Sequence, residues 1–213
     1  MKFNLGIALT ILLFFFLTSP IDANNDGGKK HDICHGLEKG DGTQIKSGFC
    51  SKTFLGQIPS NKHMTSSLIT KPRNEEKLKA HKDFTVVVKM KNIETGHFSD
   101  PEKDYYTEPQ ILNKAGIVQG HSHVTIQRLE SENNPPNAEK FNFFLGLNDK
   151  AKNGELIADV KGGLPAGRYR ICSMSSSFTH QPLVMPVAKR GSQDDCIRIT
   201  VKGNQKRKAR SLN

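Results

Sequence analysis

Tryptophan is absent from this 213-residue chain and tyrosine occurs only three times. That leaves few of the flat aromatic platforms on which sugar-binding proteins stack their ligands. No Asn-x-Ser/Thr triplet occurs, so N-glycosylation is not expected. The G-x-S-x-G elbow and the phosphate-binding glycine loop are also missing, which removes two common signatures of hydrolases and nucleotide enzymes. Ser122 stands between two histidines without an orienting carboxylate nearby in sequence. Past residue 23 no apolar run approaches the roughly 20 residues that a membrane-spanning helix needs. The expectation is a non-enzymatic protein without stable transmembrane anchoring.

The opening string "MKFNLGIALTILLFFFLTSPIDA" has the layout of a secretory signal. Lys2 supplies the positive start, residues 5–17 the apolar core, and Pro20 with Ala23 a cleavage site. Residues 1–23 are therefore set apart from the fold, and an extracellular location is expected. Four cysteines in a secreted chain favour disulfides, and their order in two pairs suggests Cys34–Cys50 and Cys172–Cys196. Each bridge would stabilise the fold by about 3 kcal/mol through loop closure. The formal net charge of +10 favours an acidic polymer or an acidic protein surface outside the cell as partner. Nucleic acid is not expected. The tail at 203–213 carries "KRKAR", a nuclear-import pattern that leaves the cytoplasm or nucleus of a host cell as a second destination.

Residues 24–82 are polar and read as a flexible extension closed into a loop at Cys34 and Cys50. From 83 to 202 the pattern turns β-like. "FTVVVKM", "HVTIQRL", "FNFFL", "ELIADV", "RYRICSM" and "CIRITV" are short runs with alternating or β-branched apolar residues, and "PLVMPVA" adds a possible seventh. No helical period is sustained. The fold class is all-β, an antiparallel immunoglobulin-like β-sandwich. "LPAGRYRIC" strengthens that expectation, because Tyr169 stands where such sandwiches place a corner tyrosine whose hydroxyl bonds back to the chain. Strand parity puts Cys172 and Cys196 on the outward faces, so their bridge is predicted to be a surface staple. The same parity gathers Arg168, Arg170 and Arg198 outward, near Lys189 and Arg190, as a basic face suited to phosphate or carboxylate groups.

"GHSHVTIQ", residues 120–127, is the densest candidate for chemistry. Alternation turns Val124 and Ile126 inward and sets His121 and His123 on the polar face beside Thr125 and Gln127. His180 would add a third nitrogen if the chain after Met174 folds back. Three such ligands with an open position suit zinc or copper. The competing expectation is two histidines meeting water or a cleft, with no cofactor. No acidic residue adjoins them in sequence, and the Asp194–Asp195 pair reads as a turn former.

The strings "CSKTFLGQIPS", "ETGHFSDPEKDYYTEPQILNKAGIVQGHSHVTIQ", "FNFFLGLND", "LPAGRYRICSM" and "HQPLVMPVAKRGSQDDCIRITV" resemble a family of small secreted fungal proteins without established activity. They include His121, His123, His180, Cys172 and Cys196 but assign them no role. More narrowly, the signal, the four cysteines and the β-rich second half are similar to the rust transferred proteins of plant-parasitic rust fungi. These resemblances imply a fungal effector or extracellular-matrix protein acting in virulence through surface binding. They also imply two alternatives, a cysteine- or serine-protease inhibitor and a filament-forming protein that self-associates. The N-P-T-T-G string of sandwich-type cysteine-protease inhibitors is absent.

Overall fold

The computed structural model describes residues 32–203. The expected signal segment, the start of the polar extension and nearly all of the basic tail lie outside the described residues. Among these, nine strands follow in chain order: β1 (Ser66–Lys71), β2 (Lys77–Lys79), β3 (Phe84–Lys91), β4 (Ile93–Glu94), β5 (Val118–Arg128), β6 (Phe143–Leu147), β7 (Glu155–Val160), β8 (Gly167–Ser177) and β9 (Cys196–Lys202). β1, β3 and β7 make a three-stranded sheet, and the second sheet runs β2-β9-β8-β5-β4 with β6 also paired to β5.

The two sheets share one core. Val86, Val88 and Met90 of β3 and Leu156, Ala158 and Val160 of β7 pack with Val124, Ile126, Tyr169, Ile171, Ile197, Ile199 and Val201. These are the inward-facing positions that alternation predicts, because successive side chains of a strand point to opposite faces. The architecture is nearly all-β, but the larger sheet is mixed, since β2–β9 and β4–β5 pair in parallel. The wholly antiparallel arrangement expected from sequence is thereby corrected.

Three further expectations change. The strand series begins inside the segment read as a polar extension. β1 buries only Ile69, and β2 is a three-residue strand along β9, so neither carries a visible alternation. Residues upstream are not loosely placed either. The Cys34–Cys50 bridge forms, Tyr105 donates its backbone N–H to the Gly42 carbonyl at 2.7 Å, and the Thr53 hydroxyl donates to the Tyr106 carbonyl. Gly42 sits at φ +99°, and a β-carbon there would lie 2.2 Å from the Lys103 carbonyl oxygen, so this docking needs glycine. "PLVMPVA" is no strand. Pro182 and Pro186 lack ladder donors, and Leu183 and Met185 instead pack with Val118 in a second small apolar cluster.

Tyr169 opens β8 fully buried, and its hydroxyl donates to the Pro165 carbonyl at 2.9 Å. Cys172 and Cys196 are directly paired residues of β8 and β9, and their disulfide staples neighbouring strands on the outer face of the larger sheet.

Candidate metal centre

β5 is buried on both faces. Val124 and Ile126 face the shared core, but His121 and His123, on the opposite face, are 0% and 6% exposed. The outward parity expected from sequence is correct while the water is not there, because distant segments cover that face. The Phe98 ring lies 6.2 Å from that of His121 and the Phe144 ring 5.3 Å from that of His123. Gly120 makes the entry possible. A β-carbon there would stand 2.1 Å from the Ser176 carbonyl oxygen on β8, so only glycine lets the strands approach beside His121.

After β8 the chain reverses. Ser177 and Gln181 close a tight turn through a 2.9 Å backbone hydrogen bond, with His180 in the left-handed region at φ +72°. The turn carries the His180 ring to 4.5 Å from that of His121 and 5.6 Å from that of His123, measured between centroids. It is fastened from outside: Tyr106 donates its N–H to the Thr179 carbonyl at 2.9 Å, and Thr179 exchanges two hydrogen bonds with the Glu108 backbone.

Each of the three histidines offers one ring nitrogen within 4.8 Å of the other two. Three points so spaced lie within about 2.8 Å of a common centre, against metal–nitrogen bonds of about 2.0–2.1 Å for zinc. Binding an ion would draw the three nitrogens inward by less than about 1 Å each. The hydrogen bonds fix which nitrogens are free. His121 donates from Nδ1 to the His97 carbonyl at 3.1 Å, and His123 from Nδ1 to the Met174 carbonyl at 2.9 Å. A carbonyl only accepts, so both Nδ1 atoms carry the proton and both Nε2 lone pairs are free. Backbone carbonyls orienting imidazoles in this way are the usual supporting partners of metal-ligating histidines. His121 Nε2 and His180 Nδ1 are buried with no hydrogen-bond partner, an arrangement that costs free energy unless something else satisfies them.

All three rings are held neutral. Burial, and then the neighbouring rings of His123 and His180, push His121 down to about 3. Burial and His123 push His180 down to about 4. Burial also lowers His123, opposed by its bond to Met174 and by the charge of Asp194. Burial, followed by a hydrogen bond with Tyr106, raises the Tyr105 phenol beyond its usual range.

Sequence inspection missed two members of the site. Asp194 lines the same cleft as His123 and His180, and its Oδ1 accepts hydrogen bonds from Ser173 Oγ and from both the N–H and the hydroxyl of Ser175. Burial raises its carboxyl above the ordinary range despite these bonds. The carboxylate is 71 residues downstream of His123, and only the pairing of β8 with β5 brings them together. The second is the aromatic wall at Tyr105 and Tyr106, whose rings stack at 4.1 Å.

On the outer face of the larger sheet the arginines have partners of their own. Arg168 forms a bidentate pair with Glu75, both bonds at 2.6 Å, and a third bond to Glu132 at 3.0 Å. Arg198 reaches Glu132 at 3.6 Å, and Arg170 donates to the Gln127 side chain at 2.6 Å. These arginines do share a face, but its carboxylate partners come from the chain itself. Lys189 is exposed and Arg190 bonds within its own loop to Val187 and Gln193, so neither is drawn into that network.

A two-sheet, disulfide-stapled β protein with two buried histidines and a half-buried third opening on a cleft is the class that fold and site define. The chain belongs to the family of the CLU5d N-terminal domain, whose model matches residues 67–202. It is 44% identical over 177 residues to pathogenicity cluster 5 protein d of Colletotrichum graminicola, across 81% of this chain and 37% of that protein. The family is thus one of fungal pathogenicity-cluster proteins, and the chain spans little more than a third of that relative's length. Its two disulfides suit an oxidising compartment, and among the described residues no helix is long and apolar enough to cross a membrane.

Proposed function

We propose that this chain is a secreted, virulence-associated binding protein whose centre is a three-histidine site for zinc or copper. The observation that carries the reading is the convergence of His121, His123 and His180, with two of their ring nitrogens buried and unpartnered. Three neutral imidazoles leave a fourth position open to water or another ligand. The centre works by holding an ion and what the ion holds. The role proposed for it is binding. The scaffold is used as an immunoglobulin-like sandwich, which the Tyr169 corner and the shared core support. The name of the relative supports a role in virulence, and the signal-like first 23 residues support secretion.

Metal uptake tests this directly. The full chain, purified without chelators and dialysed against zinc or copper, should hold one ion per chain by elemental analysis. His180→Ala, on a turn outside the sheets, should hold close to none while keeping its far-ultraviolet circular dichroism. Uptake that is absent in the parent, or unchanged in the variant, would remove the proposal.

A further inference from the structure

Resting on the metal-centre reading, we infer that the open coordination position takes an aromatic oxygen donor, a phenolate or catecholate, seated in the cleft over His123 and His180. The cleft has a volume of about 390 Å³, ample for a substituted ring. The Tyr105–Tyr106 stack lines it together with Phe144 and Met174. Phe144 is 47% and Met174 46% exposed, so both offer apolar surface to a ligand in the cleft. Flat rings stack favourably on such a wall, and the methionine sulfur adds to it.

Charge selects the donor. Three neutral imidazoles do nothing to offset a divalent ion in a buried setting, so an anionic ligand is favoured there. Among the described residues lining the cleft there is no lysine or arginine. A phosphate or a dicarboxylate would leave its further charges unpaired, and the Asp194 carboxylate on the wall would repel them. One oxygen anion on an apolar body meets both conditions. Asp194, pinned through Oδ1 by Ser173 and Ser175, can accept the hydrogen bond of a second hydroxyl, which favours a catechol over a simple phenol. Binding exchanges a metal-bound water for the ring oxygen and releases the phenolic proton to solvent.

The test uses the full chain loaded with zinc and titrated with 4-nitrocatechol, a redox-resistant probe whose absorption band moves on coordination. The expected result is a saturable band shift at one probe per ion, absent from the metal-free protein. Phe144→Ala and Met174→Ala should each keep one ion per chain and weaken the probe about tenfold, and azide, which has no ring, should bind parent and variants alike. A loaded protein that leaves the band unmoved, or variants that bind the probe as tightly as the parent, would overturn the aromatic ligand and leave the metal centre standing. A chain that takes up no ion overturns both.

Discussion

Zinc at a thousandfold excess over its dissociation constant is expected to raise the unfolding free energy of the metal-free protein by about 4 kcal/mol. The ion binds only when β5 and the His180 turn are assembled, so its binding energy adds to the fold. Chemical denaturation with and without zinc reads the effect, and His180→Ala should erase it; coincident midpoints for the parent would sink the three-histidine centre. Acid works in the opposite direction on the metal-free protein. His121 and His180 ionise near 3 and 4 in the fold, below the ordinary 6.5. Between those values the unfolded chain binds more protons, so stability present above about pH 6.5 is lost as the pH falls toward 4. A denaturation midpoint that stays level over that window would mean the rings are not held neutral.

Tyr169→Ala is expected to cost about 3–5 kcal/mol, the range for truncating a fully buried aromatic side chain. Tyr169→Phe keeps the ring in the core and loses the hydroxyl's bond to the Pro165 carbonyl and its interaction with Arg128, for a cost of about 1–3 kcal/mol. Urea denaturation of the two variants beside the parent separates packing from corner. If the phenylalanine variant matches the parent, the hydroxyl holds nothing at that turn.

Strands with one buried face could be read from their residues. β7 buries Leu156, Ala158 and Val160 and exposes Glu155, Ile157 and Asp159 to a greater degree, and β9 does the same with Ile197, Ile199 and Val201. β5 could be read only by half. Its second face looked wet because the residues that cover it, Phe98 and the His180 turn, lie tens of positions away and show no periodicity that ties them to the strand. β1 and β2 were hidden for another reason, as edge strands owe their place to backbone pairing more than to side-chain pattern. The three histidines were visible as candidates because their residue type is rare and chemically distinct. Asp194 was not, since an aspartate before a strand is common, and neither were the free nitrogens, which emerge only when the hydrogen bonds are counted. The Arg168, Arg170 and Arg198 face followed from parity, whereas Glu75 and Glu132, which pair with Arg168 and Arg198, come from loops. The kinship with a fungal protein family was carried by short strings, while the rust comparison had no residue motif behind it.

The turn bearing His180 is tied through Thr179 to residues 106 and 108, and His121 is tied through its Nδ1 to residue 97. An ion gripped by the rings would therefore weld three separate stretches of chain into one cooperative unit, so that none opens without the others. Segment 97–108 contributes no ligand, yet it would share the lifetime of the bound state. Occupancy of the centre would be felt at the outer surface of the protein, where that segment meets the docked loop of Cys34 and Cys50.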